Sequence, residues 1–362
     1  MKIAMIVPSL VEKGPIIVAF NIVKYNFDKN IEFMFISLRN NLEVDKRRFK
    51  ELNINVYEIG MERIPTLRAI YKLQAIIDNL MPDVLHVHCF WPTILAAICK
   101  KKYKNLITTL HNNPFEDYSL EYGTILGKTM ARISVKIANN CFREVVAISN
   151  YVKAIYNNKK INVIYNAIED FPQLNEKRYL EDNVLHVVSA SVLNKRKNIE
   201  TALKTIRYLK NKGKKIQYII IGDGEMKRSL ERITQELAIK DEVIFCGALS
   251  REKTIEILGK QDVLLFPSVS EGLGLAAIEA MMNGVVVVGS NIPVMNEIVD
   301  HLKDGFICDV FDYEEYGQKL LKLYDVELLR TMSEAARNKY LNKFQMTYMI
   351  KEYNELYYKC LE

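Results

Sequence analysis

Short apolar runs alternate with longer helical patterns along most of the chain, and this alternation is the feature that most restricts its fold. Strands that are separated by helices form parallel sheets with helices on both faces. The sequence therefore predicts an α/β protein built on doubly wound parallel sheets. The predicted strands are Ile3–Pro8, Phe33–Leu38, Asn55–Ile59, Val84–His88, Leu106–Leu110, Val145–Ser149, Val163–Tyr165, Val184–Ser189, Ile216–Gly222, Val243–Cys246, Val263–Phe266, Val285–Gly289 and Phe306–Cys308.

The clearest helical pattern begins after Pro65. Thr66 is a suitable N-cap, because its hydroxyl can accept a hydrogen bond from a backbone amide of the first turn. Apolar residues then recur at helical spacing, and they are Leu67, Ile70, Leu73, Ile76, Ile77 and Leu80. The pattern predicts a helix from Leu67 to Leu80.

The alternation occurs twice, which predicts two domains. A polar segment, Ile168–Asn183, separates the two halves and reads as a linker that contains Pro172. With 362 residues and 49% hydrophobic composition, the chain can bury two cores of ordinary size. We predict one domain over residues 1–170 and another over residues 171–345, followed by a Tyr-rich helical segment, Met346–Glu362.

Basic residues are concentrated in the first half. Residues 1–170 contain 23 Lys+Arg against 16 Asp+Glu, a net charge of +7, and the remainder contains 27 against 28, a net charge of −1. A basic half suits an anionic membrane surface or a lipid diphosphate, although ordinary surface lysines give the same count. Nucleic acid is disfavoured as a partner, because the basic residues are not interleaved with aromatic ones along one element.

Cysteine spacing and hydropathy indicate the cellular compartment in which the chain is found. The six cysteines are scattered and form no C-x-x-C motif, which is typical of free thiols in a reducing environment. No window approaches 18 continuous apolar residues, and Pro8 cuts the first apolar run short, which argues against a signal peptide. We expect a cytoplasmic chain.

The strongest chemical signal lies in Phe266–Val299, which contains two carboxylates in an E-x7-E arrangement, Glu271 and Glu279. On one continuous helix they would lie about 80° apart. Gly272 and Gly274 allow a loop instead, so Glu271 can fold back over the start of a helix, where free amides attract a phosphate.

Glu279 lies beside the apolar stripe of that helix, which is formed by Leu275, Ile278 and Met282. A carboxylate at the edge of a core favours a hydrogen-bond donor, and a ribose diol is a good one. The alternative is that Glu279 is a solvated helix residue and Glu271 an N-terminal charge favoured by the helix dipole.

The run EGLGLAAIEAMMNGVVVV, which starts at Glu271, resembles the signature of the retaining glycosyltransferases of family 4. Members of that family have the GT-B fold, in which two Rossmann-like domains face each other across a cleft. The resemblance implies an acceptor-side first domain, a nucleotide-sugar-binding second domain, and a C-terminal helix, residues 346–362, that crosses back onto the first domain.

The same resemblance assigns roles to the residues of the run. It implies that Glu271 contacts the donor sugar and that Glu279 binds the ribose hydroxyls. It also implies that backbone amides contact the sugar and the diphosphate along Gly272, Leu273, Gly274 and Leu275.

Two residues of the first half match positions near the donor in the family. Thr109-Leu110-His111 matches a T-x-H pattern, which implies that His111 contacts the sugar and lowers the barrier; a core or capping histidine is the alternative. Gly14 follows the first strand, where backbone approaches a ligand in such domains. Family members usually have a Gly-Gly pair in this loop, and here Lys13 replaces the first glycine. The alternative for Gly14 is that it is an ordinary turn glycine.

The segment SASVLNKRKNIE, residues 189–200, is similar to the family's G-R-L-x-x-x-K pattern, whose Arg and Lys neutralise the donor diphosphate. Lys197 matches the Lys, but Val192 stands where the Arg is expected. Lys195 or Arg196 can compensate, since a departing diphosphate needs its growing charge offset. A solvated basic turn is the alternative for each of them.

Glycines mark two further loops of the second half. Gly222 and Gly224, in IIIGDGE, match the family's G-x-G turn near the nucleotide. Gly247 lies where the base-binding loop begins in the family.

A metal site is disfavoured. His86 and His88 share one face of a predicted strand, but the sequence places no third ligand beside them. The chain also lacks a D-x-D motif, which metal-dependent glycosyltransferases generally use. We expect no metal and no cofactor, with a structural or acceptor-side role for the two histidines.

The resemblance predicts a retaining, metal-independent glycosyltransferase in polysaccharide biosynthesis. It would move a hexose or N-acetylhexosamine from a nucleotide-diphosphate sugar, with UDP expected as the commoner donor, to a glycan or lipid-linked acceptor. The expected catalytic residues are His111, Glu271 and Lys197, and peripheral binding to the inner face of the plasma membrane is expected. No carboxylate of these motifs suits a covalent nucleophile, which favours front-face attack.

Two alternatives stay open. One is a catalytically inactive GT-B protein that binds nucleotide or a partner transferase, and Val192 favours it. The other is a GT-B nucleotide-sugar epimerase, which would need no acceptor.

Overall fold

The computed structural model describes residues 1–62, 64–100, 102–158, 160–171 and 179–362. The chain divides into two compact units, which are considered separately. Unit 1 comprises Met1–Ala167 and Met346–Glu362, and unit 2 comprises Ile168–Gln345. Both are built on parallel sheets with the strand order of doubly wound, Rossmann-like folds.

Unit 1 contains a seven-stranded parallel sheet in the order β3-β2-β1-β4-β5-β6-β7. Its strands are β1 (Lys2–Val7), β2 (Glu32–Ser37), β3 (Asn55–Glu58), β4 (Val84–His88), β5 (Leu106–Leu110), β6 (Glu144–Ala147) and β7 (Asn162–Val163). Its helices are α1 (Gly14–Lys24), α2 (Glu43–Glu51), α3 (Leu67–Leu80), α4 (Phe90–Cys99), α5 (Pro114–Tyr122), α6 (Thr124–Cys141), α7 (Asn150–Tyr156) and the C-terminal α15 (Met346–Lys359).

The central strands of unit 1, β1, β4 and β5, are buried on both faces. Side chains alternate along a strand, so Ile3 and Met5 of β1 pack in one cluster and Ala4 and Ile6 in another. The first cluster includes residues of α15, such as Tyr353, so the C-terminal helix is part of the core of unit 1. This explains why the strands read as continuous apolar runs.

Unit 2 contains a six-stranded parallel sheet in the order β10-β9-β8-β11-β12-β13. Its strands are β8 (Leu185–Ala190), β9 (Ile216–Ile221), β10 (Val243–Gly247), β11 (Val263–Phe266), β12 (Val286–Ser290) and β13 (Gly305–Cys308). Its helices are α8 (Ile199–Asn211), α9 (Lys227–Glu236), α10 (Arg251–Gly259), α11 (Leu275–Met282), α12 (Met295–Ile298), α13 (Tyr313–Lys322) and α14 (Val326–Lys343).

Each predicted strand is present, with ends that differ by two residues at most. The predicted helix also begins and ends as expected, because the Thr66 hydroxyl accepts a hydrogen bond from the Ala69 amide at 3.2 Å and caps α3. All six cysteines are free thiols, and three of them are buried. Among the described residues, none of the helices has the length and hydropathy needed to cross a bilayer.

The predicted linker lies only partly within the described residues, because residues 172–178 fall outside them. The segment before this gap is packed into unit 2. The Asp170 carboxylate pairs with the Arg337 guanidinium through two 2.7 Å contacts, and the Ile168 carbonyl accepts a hydrogen bond from Tyr340 at 3.0 Å.

Candidate functional site

The topology of unit 2 brings two predicted site residues together. From β8 the chain adds β9 and β10 on one side, and then adds β11, β12 and β13 on the other. The loops that leave the neighbouring strands β8 and β11 therefore flank the switch point, where ligands of doubly wound sheets bind. Lys197 lies in the loop after β8, and Glu271 lies in the loop after β11.

Hydrogen bonds hold these two loops against each other. The Val269 amide donates to the Arg196 carbonyl at 2.8 Å. The Asn198 side-chain amide donates to the Pro267 carbonyl at 3.1 Å and to the Val310 carbonyl at 2.9 Å, so it also ties in the segment after β13. Asn198 has a left-handed backbone with φ 51°, which Asn tolerates better than most residues.

Lys197 and Glu271 form an ion pair at the switch point. The Lys197 Nζ lies 2.5 Å from the Glu271 Oε1, and the side chains are only 14% and 8% exposed. The ammonium also lies 5.3 Å from the centre of the Phe266 ring. A poorly solvated pair of this kind presents a cation for phosphate oxygens and a carboxylate for hydroxyl donors side by side.

The loop after β11 ends as a glycine-capped helix start. Gly274 precedes α11 with φ 81°, a left-handed conformation that suits glycine. As predicted, Glu271 lies in the loop and not on the helix. The Ala277 amide donates to the Gly274 carbonyl at 2.9 Å, whereas the amides before it have no acceptor within the helix by position, so this end attracts anions. Leu273 is only 3% exposed, and its burial anchors the loop between Glu271 and the start of α11.

Glu279 occupies the expected edge of the core on α11. Its side chain is 16% exposed, next to the buried Ile278 and Met282, whereas Leu275 is only partly buried. Its partner is one that the sequence did not reveal, Arg251 of α10, whose Nε lies 3.4 Å from the Glu279 Oε1. Burial raises the pKa of Glu279, and the nearby guanidinium opposes that rise.

Two glycines allow the turn after β9 to pack against the loop that carries Lys197. Gly222 has φ 135°, and a Cβ there would lie 1.8 Å from the Ser191 carbonyl oxygen. Gly224 has φ 157°, and a Cβ there would lie 2.4 Å from the Leu193 carbonyl oxygen. Close backbone packing therefore excludes any side chain at these positions.

Gly247 is required for another reason. Its φ is 70°, but within the described part of the chain no atom lies within 4 Å of a Cβ built there, so conformation and not space favours glycine. Its carbonyl accepts a hydrogen bond from the Gly222 amide at 2.8 Å, which links the loops after β9 and β10.

The other basic residues of the loop after β8 are arranged differently from Lys197. Lys195 is exposed and makes no ion pair with another described residue. Arg196 is partly buried, and Val192 is 63% exposed. The structure therefore joins Lys197 to Glu271 and leaves Lys195 in solvent.

In unit 1, His111 directly follows β5 and pairs with His88 at the end of β4. The His88 Nδ1 lies 2.9 Å from the His111 Nε2. Burial lowers the pKa of His111 to about 3 and holds the pKa of His88 well below its ordinary value. Both imidazoles are therefore neutral at pH 7.

His86 shares the strand face of His88, as its spacing predicts, with ring centres 4.4 Å apart. Its two nitrogens lie 2.8 Å from the Tyr357 hydroxyl and 2.8 Å from the Thr109 hydroxyl, and burial lowers its pKa to about 3. Within the described parts of the chain, no three His, Cys, Asp or Glu side chains are arranged to hold a metal ion. The contact with Tyr357 of α15 was not evident from the sequence.

Gly14 is the first residue of α1, at the carboxyl end of β1 and beside the switch point of the first sheet, between β1 and β4. A Cβ there would meet no atom of the described residues within 4 Å. Neither packing against the described residues nor backbone conformation therefore requires a glycine here.

Comparison with known proteins identifies the family. The profile described as "Glycosyltransferase Family 4" matches residues 17–170, and the profile "Glycosyl transferases group 1" matches residues 170–339. The O-antigen biosynthesis glycosyltransferase WclY of Escherichia coli is 30% identical over 328 residues, which cover 86% of this chain and 85% of that protein.

A second relative and a solved structure extend the comparison. The UDP-Gal:alpha-D-GlcNAc-diphosphoundecaprenol alpha-1,3-galactosyltransferase of Escherichia coli is 25% identical and covers 81% of this chain and 80% of that protein. HepE of Anabaena, solved in complex with UDP and glucose, superposes with a TM-score of 0.79 at 18% identity over 98% of both chains. The matched profiles, the relatives and the two Rossmann-like units together show that the chain belongs to glycosyltransferase family 4 and has the GT-B fold.

Proposed function

We propose that the chain is a retaining, metal-independent glycosyltransferase that transfers a hexose or N-acetylhexosamine from a UDP-sugar to a lipid-linked glycan in polysaccharide biosynthesis. The observation that carries this proposal is the Lys197–Glu271 ion pair at the switch point of unit 2. The pair offers opposite charges that match the two parts of a nucleotide-sugar, its diphosphate and its sugar hydroxyls.

In the proposed reaction the diphosphate binds Lys197 and the amides at the start of α11. The bond between the anomeric carbon and the phosphate oxygen breaks, and charge grows on the departing UDP, where the ammonium offsets it. The acceptor hydroxyl oxygen bonds to the anomeric carbon on the same face, and its proton passes to the departing phosphate oxygen. Glu271 leaves Lys197 to accept hydrogen bonds from the sugar.

The remaining predicted residues have supporting roles in this proposal. Glu279, which pairs with Arg251, accepts hydrogen bonds from the ribose hydroxyls. His111 contacts the sugar. Backbone approaches the nucleotide and diphosphate at Gly14, Gly222 and Gly247. Lys195 and Arg196 supply the positive charge that the family's Arg would supply at the position of Val192.

The proposal has one further part, which is that the acceptor is linked to a lipid and that the protein is cytoplasmic and binds peripherally to the membrane. The names of two relatives support it, since one acts in O-antigen biosynthesis and another on a diphosphoundecaprenol acceptor. The solvent-facing side of α6 also supports it, because it carries both apolar and basic residues and no acidic one. This face consists of Ile125, Leu126, Lys128, Arg132, Ile133 and Lys136, all exposed.

The composition of this α6 face suits an anionic bilayer. Ile125 is 87% exposed, and Leu126 and Ile133 are about half exposed. Exposed apolar residues beside basic ones are typical of helices that lie in a membrane interface. Each basic residue near an anionic surface contributes about 1 kcal/mol, so the three on α6 contribute on the order of 3 kcal/mol.

Vesicle sedimentation tests this part. We expect the protein to sediment with vesicles that contain anionic phospholipid at low salt, and Arg132→Gln to weaken this binding. The matched control is Arg232→Gln, which changes an exposed arginine of unit 2. Equal effects of the two variants would remove the α6 face from the proposal.

UDP release from UDP-sugars, measured with and without a polyprenyl-diphosphate sugar acceptor, tests the reaction. We expect release to depend on the acceptor and the product to keep the anomeric configuration of the donor. A thermal-shift panel of UDP-, GDP- and ADP-sugars tests the donor, since a ligand at 100 times its Kd adds about 2.7 kcal/mol of stability. Glu279→Ala should abolish that shift, and an unchanged shift would remove Glu279 from the site.

Lys197→Ala separates the proposal from the alternative of an inactive nucleotide-binding partner, which the exposed Val192 favours. We expect turnover to fall by about 10²-fold or more, because the departing diphosphate loses its cation. Undiminished turnover would rule out this role for Lys197. Nucleotide binding by the wild-type protein without turnover on any acceptor would favour the inactive alternative.

A further inference from the structure

The pair His88 and His111 contains a buried nitrogen that the proposed function does not use. His88 is fully buried, and its Nδ1 lies 2.9 Å from the His111 Nε2. Its other ring nitrogen, Nε2, is also buried and has no hydrogen-bond partner among the described residues. The His86 ring lies 4.4 Å from the same ring at a tilt of 38°, but both of its nitrogens bond to other groups, Tyr357 and Thr109.

The short contact between two neutral rings contains one shared proton, so only two arrangements are possible. In the first, His88 carries its proton on Nδ1 and donates to His111, and the His88 Nε2 is a bare acceptor. In the second, His111 donates from Nε2, and His88 must carry its proton on the buried Nε2, where it has no acceptor. Buried N–H groups without an acceptor are rarer in proteins than buried acceptors without a donor, which favours the first arrangement.

We infer that His88 is a positioning residue that fixes the tautomer of His111, so that His111 carries its proton on Nδ1 and presents an N–H donor to its ligand. The Nδ1 of His111 makes no hydrogen bond with another described residue, and the His111 side chain is partly exposed at the carboxyl end of β5. It is therefore available to a ligand. A neutral imidazole that is protonated on its outward nitrogen donates a hydrogen bond but cannot accept a proton there.

The consequence for catalysis rests on the proposed function. If His111 contacts the donor sugar, it does so as a donor to a sugar oxygen, and it does not act as the general base for the acceptor. The acceptor proton then has to leave by another route, such as the departing phosphate oxygen. The tautomer itself does not depend on the reaction.

The direct test is a two-bond ¹H–¹⁵N correlation spectrum of the ¹⁵N-labelled full chain at pH 7, which distinguishes protonated from unprotonated ring nitrogens. The chain contains only five histidines, so single substitutions assign every ring. We expect both His88 and His111 to carry their proton on Nδ1. A proton on the Nε2 of His111 would overturn the inference, whether or not the protein transfers a sugar.

Three variants test the positioning role. His88→Asn keeps an N–H group at the place of Nδ1, and His88→Leu removes it. His86→Gln is the matched control, because it alters a buried histidine of the same strand that makes no hydrogen bond to His111. In His88→Leu we expect the His111 proton to shift towards Nε2 and kcat to fall about tenfold, the effect of one lost hydrogen bond.

His88→Asn should keep the wild-type tautomer and kcat within about threefold of the wild type. An unchanged His111 spectrum in His88→Leu, or a loss of kcat no larger than that of His86→Gln, would refute the positioning role. If His88→Leu does not fold, the inference is tested by the spectra of the wild type and of His88→Asn, which show which ring nitrogen of His111 carries the proton. A tautomer that matches expectation in a protein without turnover would count against the proposed function and not against this inference.

Discussion

The two units place different chemistry at the carboxyl ends of their strands. In unit 1, three imidazoles are neutral, and they bond to one another or to hydroxyl groups. His86 and His88 are fully buried, and His111 is partly exposed. In unit 2, the corresponding loops hold the ion pair of Lys197 with Glu271, and the helices that follow two of the strands hold the pair of Arg251 with Glu279. Unit 1 thus offers hydrogen bonds without charge, and unit 2 offers charge.

The difference implies opposite responses to acid. Protonation of the histidines is resisted in the folded state, because burial lowers the pKa of both His86 and His111 to about 3. Protonation of Glu279 is favoured in the folded state, because burial raises its pKa. Acid should therefore weaken unit 1 through its histidines while it favours unit 2 through Glu279.

The largest expected effect is on the charged site of unit 2. Glu271→Ala should lower turnover by about 10²- to 10³-fold, because it removes the partner of Lys197 and the proposed contact to the sugar. UDP release with acceptor measures it. The control is Glu256→Ala, which removes an exposed carboxylate that pairs with Lys253 on the surface of α10. Equal turnover in the two variants would show that charge at the switch point is not used.

The next effect tests whether backbone packing holds the charged site in shape. Gly222→Ala would force a Cβ against the Ser191 carbonyl, so it should cost about 3 kcal/mol or more of the free energy of unfolding. Gly213→Ala is the control, since Gly213 also has a positive φ but lies in open space. It should cost about 1–2 kcal/mol. Urea unfolding measures both, and equal costs would contradict the proposed close approach.

The pH response tests the comparison itself. The pKa of His86 is about 6.5 in the unfolded chain and about 3 in the folded one. Between these values His86 is protonated only in the unfolded chain, so unit 1 loses stability as the pH falls from 6.5 towards 3. Each such histidine adds a slope of at most about 1.4 kcal/mol per pH unit. The single tryptophan, Trp91 in α4 of unit 1, reports this unfolding by fluorescence. His86→Gln should flatten the slope, and an unchanged slope would contradict this account.

Glu279→Gln should act in the opposite direction. The stability that Glu279 contributes is present below its unfolded pKa and is lost as the pH rises through its higher folded pKa. The variant should therefore gain stability relative to the wild type as the pH rises from 4 to 7. Hydrogen exchange of unit 2 peptides measures the difference in stability. If the variant instead lost stability relative to the wild type from pH 4 to 7, the pKa of Glu279 would be lowered and not raised in the folded state.

The smallest effect concerns Arg251, whose side chain is 39% exposed. Arg251→Ala should change the affinity for UDP by less than about 1 kcal/mol at pH 8, since partly exposed ion pairs contribute little. At pH 5.5 the loss should be larger, because Glu279 then lacks the cation that opposes its protonation. Isothermal titration at both pH values measures it, with Arg232→Ala as the surface control. The same loss at both pH values would show that Arg251 does not act through Glu279.

Local patterns were sufficient to predict the secondary structure and the motif positions. Continuous apolar runs located the strands, because a strand of a doubly wound sheet is buried on both faces. The Thr66 cap and the glycine before α11 depend only on neighbouring residues and were correct. Arg251 was missed because it lies 28 positions from Glu279 in the chain and has no motif of its own. The hydrogen bonds of Asn198 to the loops after two other strands were missed for the same reason.

The sequence by itself determined two parallel-sheet units, the ends of their strands and the residue types that follow them, since these depend on side-chain periodicity and turn chemistry over a few residues. Only the tertiary structure decided which groups meet. The partner of Glu271 was set by the adjacency of β8 and β11, and the partner of His86 by the packing of α15 in the core of unit 1. The same packing contributes to the burial of His86, which lowers its pKa to about 3 and keeps its imidazole neutral at pH 7.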